Sequence, residues 1–527
     1  MKRIIYKLIL FLFSSFVVLS TSILLSSCFN RRYDPIDIIK ASAKNIGATS
    51  GSFFFQILNE NRDVRIVSVN SNFKAVDFNF NGGKFSNNGY NYTIVEIGDG
   101  AFRGANLSGA LTIPDTVTII GDSAFGSLLN ADHHDNLILS KNLTTIGPAA
   151  FINDQFKGQL VLPKGLKTIK ERCFKNNCFR KDLFIPNSIT EIGNNVFEKS
   201  GYYNDVKFEE DGIHSIPKGC FKNCFFYGTI TFPDCITLID DSAFQYVTST
   251  YLIPFPKHLI SIGRYAFGSI TCTDFTSEFH SYDLILPDTV NSIAEHAFYN
   301  STLFNGEIHL PDNAGFQYIA PSAFEKCYKL KGTLTIPQHV KTISNLSFSE
   351  CSSLDKIEGL ENVDAIGDHA FYSCVNLDCD LSFGSSLNKI SSHAFNNCTG
   401  IKSVNFKNND QLKPLSIGEN SFDGCTSLTT INDIPEYIDT ISKGAFKDCT
   451  NLETIKFNGV PKTIDENTFQ RCTHIKSIFI NSDKYFSCPN NTFDTTTLPN
   501  INLYVIKENI DHYRQNNPWK NMHVVEL

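Results

Sequence analysis

Sixteen cysteines and thirteen histidines are the side chains in this sequence suited to nucleophilic, acid–base or metal chemistry. Their spacing argues against all three uses. Cys224, Cys327, Cys351, Cys374, Cys398, Cys425, Cys449 and Cys472 each fall three residues after a phenylalanine. Residues locked in that phase stack as a ladder, where a small buried thiol packs as a hydrophobe. Cys220 and Cys224 form a lone Cys-x-x-x-Cys with no second pair at zinc-finger spacing. Cross-links such as Cys173–Cys178 or Cys220–Cys224 stay open as alternatives, although the fifteen cysteines beyond Cys28 cannot all pair. His133 and His134 sit in an insertion and are read as solvated; His296, His369 and His393, each two residues before a phenylalanine, are read as an exposed turn. Gly-x-Ser-x-Gly, His-Glu-x-x-His, P-loop and Gly-x-Gly-x-x-Gly motifs do not occur. The expectation is no catalytic residue, no metal and no cofactor.

The elements that carry these side chains recur. Isoleucine stands five residues before phenylalanine sixteen times, from Ile97/Phe102 to Ile464/Phe469, and successive phenylalanines are mostly 23 or 24 residues apart. A seventeenth, Phe493, has Cys488 in the isoleucine position, so the array decays there. Alanine often precedes the phenylalanine, as at Ala101, Ala124 and Ala150. Proline follows it by twelve or thirteen residues, as at Pro114, Pro163 and Pro186. Before those prolines the residues alternate apolar–x–apolar, as in Leu111/Ile113, Leu160/Leu162 and Leu183/Ile185, the period of a strand with one buried face. Proline has no N–H and a fixed φ, so it closes the strand and opens a turn.

One such unit cannot enclose its own leucine, isoleucine and phenylalanine side chains. It must stack on neighbours. The fold class expected is a curved leucine-rich-repeat solenoid, β-rich, each 23–24-residue coil a short strand plus an irregular return, with N- and C-terminal caps. Composition agrees: 42% of the 527 residues are hydrophobic and 45 are phenylalanine, enough to fill a long interior. The net charge is −8 and no basic stripe interleaves with aromatics, which points away from nucleic acid as a partner.

Lys2, Arg3 and Lys7 precede a mostly apolar run from Leu8 to Leu25, the layout of a secretory signal. Leu25-Ser26-Ser27-Cys28 resembles the lipobox of bacterial lipoproteins. That resemblance implies cleavage between Ser27 and Cys28 and a diacylglyceryl group on the Cys28 sulfur, two acyl chains that hold the protein on a membrane. The mature net charge becomes −11. An uncleaved membrane anchor is the alternative, because about 18 apolar residues just span a bilayer. Either reading puts the remaining chain on the extracellular face of the cell membrane.

The repeated Ile-x-x-x-Ala-Phe-x-x-Cys, as in Ile366 through Ala370-Phe371 to Cys374 and again in Ile441 through Phe446 to Cys449, resembles the leucine-rich repeats of the BspA-like family. The resemblance covers residues 94 to about 493 and weakens over 94–215, where several coils lack the cysteine. Tyr504, Tyr513 and Trp519 resemble the family's closing segment. The domains expected are a signal peptide at 1–27, a linker and β-rich cap at 28–93, about 16–17 coils at 94–493 and a C-terminal cap at 494–527. By resemblance the chain is an adhesin-like surface lipoprotein, not an enzyme, that binds host matrix or serum proteins or other cells. The alternative is a coat or immune-decoy lipoprotein without a dedicated ligand.

If the strands line one face, the residue between each inward pair points outward. Those residues are Thr112, Ile138, Val161, Phe184, Lys207, Thr231, Ile285, His309 and Thr335, followed by Ser382, Asn405 and Lys456. A mixed polar and apolar ladder on a broad curved surface suits a protein ligand. Longer coils offer a second candidate surface. The interval between Phe267 and Phe298 carries Phe279, His280 and Tyr282, and that between Phe125 and Phe151 carries Asp132 to Asp135.

Overall fold

The computed structural model describes residues 38–129, 136–272, 281–407 and 414–527. The leader, Ser27 and Cys28 lie outside the described residues, as do Asp132 to Asp135, Phe279 and His280.

Antiparallel pairing opens the fold. Ile38–Ser42 pairs with Ser52–Ile57, which pairs with Asp63–Val69. Asp63–Val69 then runs parallel to Tyr90–Ile97, whose last residue is the first signature isoleucine. From there on, coil pairs with coil in parallel.

Most coils feed two ladders; the stretches at 160–162 and 252–255 follow the same apolar–x–apolar pattern without forming a strand. The apolar–x–apolar stretches form the first, in strands such as Asn106–Thr112, Phe179–Ile185, Gly332–Thr335 and Asp380–Phe383. Their alternate residues Leu111, Leu183, Leu334 and Leu381 are buried, as period two requires. The signature isoleucine forms the second ladder, on two-residue strands such as Thr145–Ile146, Thr168–Ile169 and Thr463–Ile464, with isoleucine opposite isoleucine in successive coils. The return is therefore more regular than the sequence suggests. A two-residue strand is too short to reveal its period.

Between the second ladder and the next first-ladder strand, the chain bends around phenylalanine. In all sixteen coils the residues two before and two after that phenylalanine have φ between +49° and +78°. These paired left-handed bends turn the ring inward. Its N–H donates to the carbonyl of the residue just before the next phenylalanine, as from Phe102 to Ala124 and from Phe371 to Ala394, both at 2.7 Å. The rings stack without interruption from Phe102 to Phe493, with centroids 5.0–5.8 Å apart and planes 2–13° from parallel. Every ring in this column is buried. Edge-on aromatics close both ends: Phe80 against Phe102 at 85°, and Trp519 against Phe493 at 65°.

The two ladders stop at different places. The second ends at Thr463–Ile464, while the first continues through Ser477–Ile480, Asn502–Val505 and His523–Glu526. Where the next second-ladder strand would lie, residues 481–488 form a loop. A short helix, Ile510–Gln515, follows and buries Tyr513. Among the described residues no helix is long and apolar enough to cross a membrane.

Candidate binding surface

The outward residues of the first ladder share one face. Register pairs Thr112 with Ile138, Phe184 with Lys207, Lys207 with Thr231, Ile285 with His309, and Ser382 with Asn405. Lys207, Thr231, His309, Thr335, Ser382 and Lys456 are exposed; Thr112 and Asn405 are half-buried. The apolar members are also in water: Ile138 is 52% exposed, Val161 63%, Phe184 43% and Ile285 60%. Three of these, Ile138, Val161 and Phe184, stand in consecutive coils. Each is flanked by buried neighbours such as Leu160 and Leu162, so the backbone alternation fixes it outward.

The opposite end of the face behaves differently. Ser403 Oγ donates to Asp380 at 2.6 Å, Asn405 donates to the Leu381 carbonyl at 3.2 Å and to Ser403 Oγ at 2.9 Å, and Asn432 donates to Asn405 Oδ1 at 2.8 Å. This polar stretch satisfies itself. Among the described residues nothing covers the apolar row, and single-residue exposure of apolar groups is ordinary only when it is scattered. Sequence reasoning missed Phe479 and gave Tyr504 only as part of the closing segment; both are half-buried outward residues that stack at 4.6 Å on adjacent strands of the same face. The signal was there in Ile478/Ile480 and Leu503/Val505, the same alternation continued past the last full repeat.

Tyr282 is a tie between coils. Its N–H donates to Asn305 Oδ1 at 2.7 Å and its hydroxyl to the Thr250 carbonyl at 3.2 Å.

The ladder cysteines are buried free thiols, and Cys173, Cys178 and Cys220 are free as well. Burial raises the thiol pKa to about 12 at Cys224, Cys327 and Cys374, which removes the thiolate needed for nucleophilic or metal chemistry. Two coils solve the same position differently. Asn177 donates to both the Phe151 and Phe174 carbonyls, at 2.8 and 3.0 Å. One coil earlier, Asp154 accepts the Leu128 N–H at 2.9 Å through Oδ1 while Oδ2 is buried without a partner. Burial pushes this carboxyl well above the usual carboxylate range.

The histidine triplet lies in turns, as expected, but is not exposed. All three residues occupy the left-handed position and are half-buried; His296 stacks on Tyr265, and His369 on His393, each at 4.6 Å. Burial and then the neighbouring His393 depress the pKa of His369. Among the described residues no group of three or more His, Cys, Asp or Glu side chains could hold a metal ion.

The chain matches the family model of the BspA type leucine rich repeat region over residues 76–204, 176–282, 269–402 and 400–517. It is similar to the crystal structure of a leucine-rich repeat protein from Bacteroides ovatus, 21% identical over 83% of this chain and 98% of that one, with a TM-score of 0.47. A leucine rich cell surface protein from Faecalibacterium prausnitzii is 20% identical over 83% of this chain and 95% of that one, with a TM-score of 0.33. The pneumococcal vaccine antigen PcpA is 16% identical over 93% of this chain and 98% of that one, with a TM-score of 0.31. No curated protein matches the chain.

Proposed function

The chain belongs to the BspA-type leucine-rich repeat family, and from that premise we propose that it is a non-enzymatic scaffold on the bacterial surface that binds a protein partner through the outward face of its first ladder. The observation that carries this reading is the row Ile138, Val161 and Phe184, large apolar side chains exposed in consecutive coils. Apolar groups held in water gain free energy when a partner covers them, at roughly 25 cal/mol per Å²; Ile138 and Phe184 are held on strands and Val161 on the extended segment between them. Lys207 and Thr231 extend the row with polar groups that set register. The partner is a host matrix or serum protein. Display on the outer face of the membrane comes from acylation of Cys28, a reading supported by Leu25-Ser26-Ser27-Cys28.

The test uses the chain from residue 29 in surface plasmon resonance against immobilised matrix and serum proteins. Saturable binding is expected, lost when Ile138, Val161 and Phe184 are all replaced by aspartate with the far-ultraviolet spectrum unchanged. Failure to bind any of them would favour a coat protein instead. Metabolic labelling with an alkynyl fatty acid tests the anchor, with label expected in the wild type and absent from Cys28→Ala.

A further inference from the structure

The loss of the second ladder after Thr463–Ile464 opens a cleft. In earlier coils such as those of Asp380–Phe383 and Thr454–Phe457 the turn after the first-ladder strand leads straight into a second-ladder strand; after Ser477–Ile480 it leads into residues 481–488. The space left over is 860 Å³, within the range of roughly 300–1,000 Å³ usual for small-ligand sites. Its walls come from the turns of three successive coils, and Tyr437, Asp439, Lys462, Asp483 and Tyr485 are among the lining residues.

Tyr485 is an aromatic platform set in place before any ligand arrives. Its ring stacks on His512 at 3.7 Å between centroids, and His512 does not line the cleft. The residue is nonetheless 57% exposed and lines the cleft, so the ring is covered by His512 on one face and open on the other. The loop that carries it is pinned from beneath. Asn509 is buried and donates to the carbonyls of Ser482 and Lys484 at 3.0 and 3.2 Å, and the Lys484 N–H donates to Ser482 Oγ at 3.2 Å. A platform fixed in this way loses little conformational freedom on binding.

The groups around it are polar and of both signs. Lys462 pairs with Asp439 at 2.6 Å, Glu436 and Asp483 add two more carboxylates, and Lys484 adds a second ammonium group. With opposite charges interleaved, no single-sign field selects an anion or a cation. Tyr437 has spent its hydroxyl on the Lys407 carbonyl at 3.2 Å. Pro414 and Pro461 on the rim offer no N–H to pair with an extended peptide.

We propose that this cleft is a binding site for a neutral glycan, a pyranose ring lying on the open face of Tyr485 with its hydroxyls donating to the carboxylates of Asp439 and Asp483. A sugar has the apolar C–H face that an aromatic ring takes and the ring of hydroxyls that alternating carboxylates and ammonium groups satisfy. The site is separate from the Ile138–Val161–Phe184 row and stands or falls without it.

The experiment is isothermal titration calorimetry of the chain from residue 29 against neutral oligosaccharides: maltohexaose, cellohexaose, xylohexaose and mannohexaose. At least one binds. Tyr485→Ala weakens that binding about tenfold or more, and Tyr485→Phe, which keeps the ring, stays within about threefold of wild type. Thermal unfolding of each variant within a few degrees of wild type shows that the fold is retained, and the aspartate triple variant of the apolar row still binds the sugar. Absence of binding to all four sugars, undiminished binding by a folded Tyr485→Ala, or competition for the cleft by peptides but not by sugars overturns the proposal.

Discussion

The Cys398 thiol donates to the carbonyl oxygen of Phe371, one coil earlier, at 3.0 Å, and that oxygen also accepts the N–H of Cys374 at 3.2 Å. Seven consecutive coils, from Cys327 to Cys472, repeat the thiol contact at 3.0–3.3 Å. The cysteine ladder is thus more than small apolar filling. It supplies a second donor to each phenylalanine carbonyl inside a core where an underused acceptor costs free energy.

These thiols should be silent in the folded protein. At pH 8 the ladder cysteines resist Ellman's reagent while half-buried Cys235 and Cys272 react, and all react in guanidinium chloride. Rapid native labelling of Cys374 or Cys398, located by mass spectrometry, would contradict the burial described above. Cys398→Ser keeps a donor and is expected to cost about 1 kcal/mol or less.

The stacked column and the exposed row separate stability from recognition. Phe371→Ala removes a ring packed between two others and should cost about 3–5 kcal/mol in urea denaturation. Phe184→Ala, on the outward face, should change stability by no more than about 0.5 kcal/mol and weaken partner binding. Equal losses of stability in the two variants would be incompatible with this division.

Asp154 makes stability fall as pH rises. Its pKa is raised on folding, so its contribution is fully present below the unfolded value near 4 and is lost as pH climbs through the folded value. Asp154→Asn, which copies the neighbouring Asn177, should stabilise the protein at pH 7 by about 1–3 kcal/mol and flatten its pH dependence. Melting temperatures from pH 4 to 8 measure both effects, and a variant less stable than wild type at pH 7 would rule the account out.

The left-handed bends set a third kind of preference. Glu350 holds φ at +60° two residues after Phe348, a conformation that asparagine or glycine adopts with less strain. Its ion pair with Lys326, at 3.8 Å on the surface, contributes little. Glu350→Asn should raise stability by up to about 1 kcal/mol in chemical denaturation. A clear loss would mean that the side chain does something other than occupy the bend.

Much of this was legible before any coordinates. The recurring phenylalanine, the cysteine phase and the outward position of Ile138, Val161 and Phe184 all follow from periods written in the sequence, because burial in a stack repeats whenever the unit repeats. What escaped had no period of its own or depended on distant partners. The second ladder occupies only two residues in most coils. The left-handed positions hold His369, Leu346, Asn420 or Gly444 indifferently, since backbone and not side chain is what repeats there. Asn177 stands in for cysteine by hydrogen bonding alone, and the cleft beside Tyr485 needs Asn509 and His512 from the closing segment to take shape.

Each phenylalanine hands its N–H to the next coil and receives a parallel ring from the last, so the backbone junction along the column is the same from coil to coil, and most alike where the cysteine ladder repeats. Within the cysteine-bearing coils, deletion or duplication of one whole unit would restore the same N–H bond, thiol contact and ring stack. An array of this kind can lengthen or shorten between strains, sliding the apolar row and the sugar cleft apart by about 4.8 Å for each unit gained, while both surfaces stay intact.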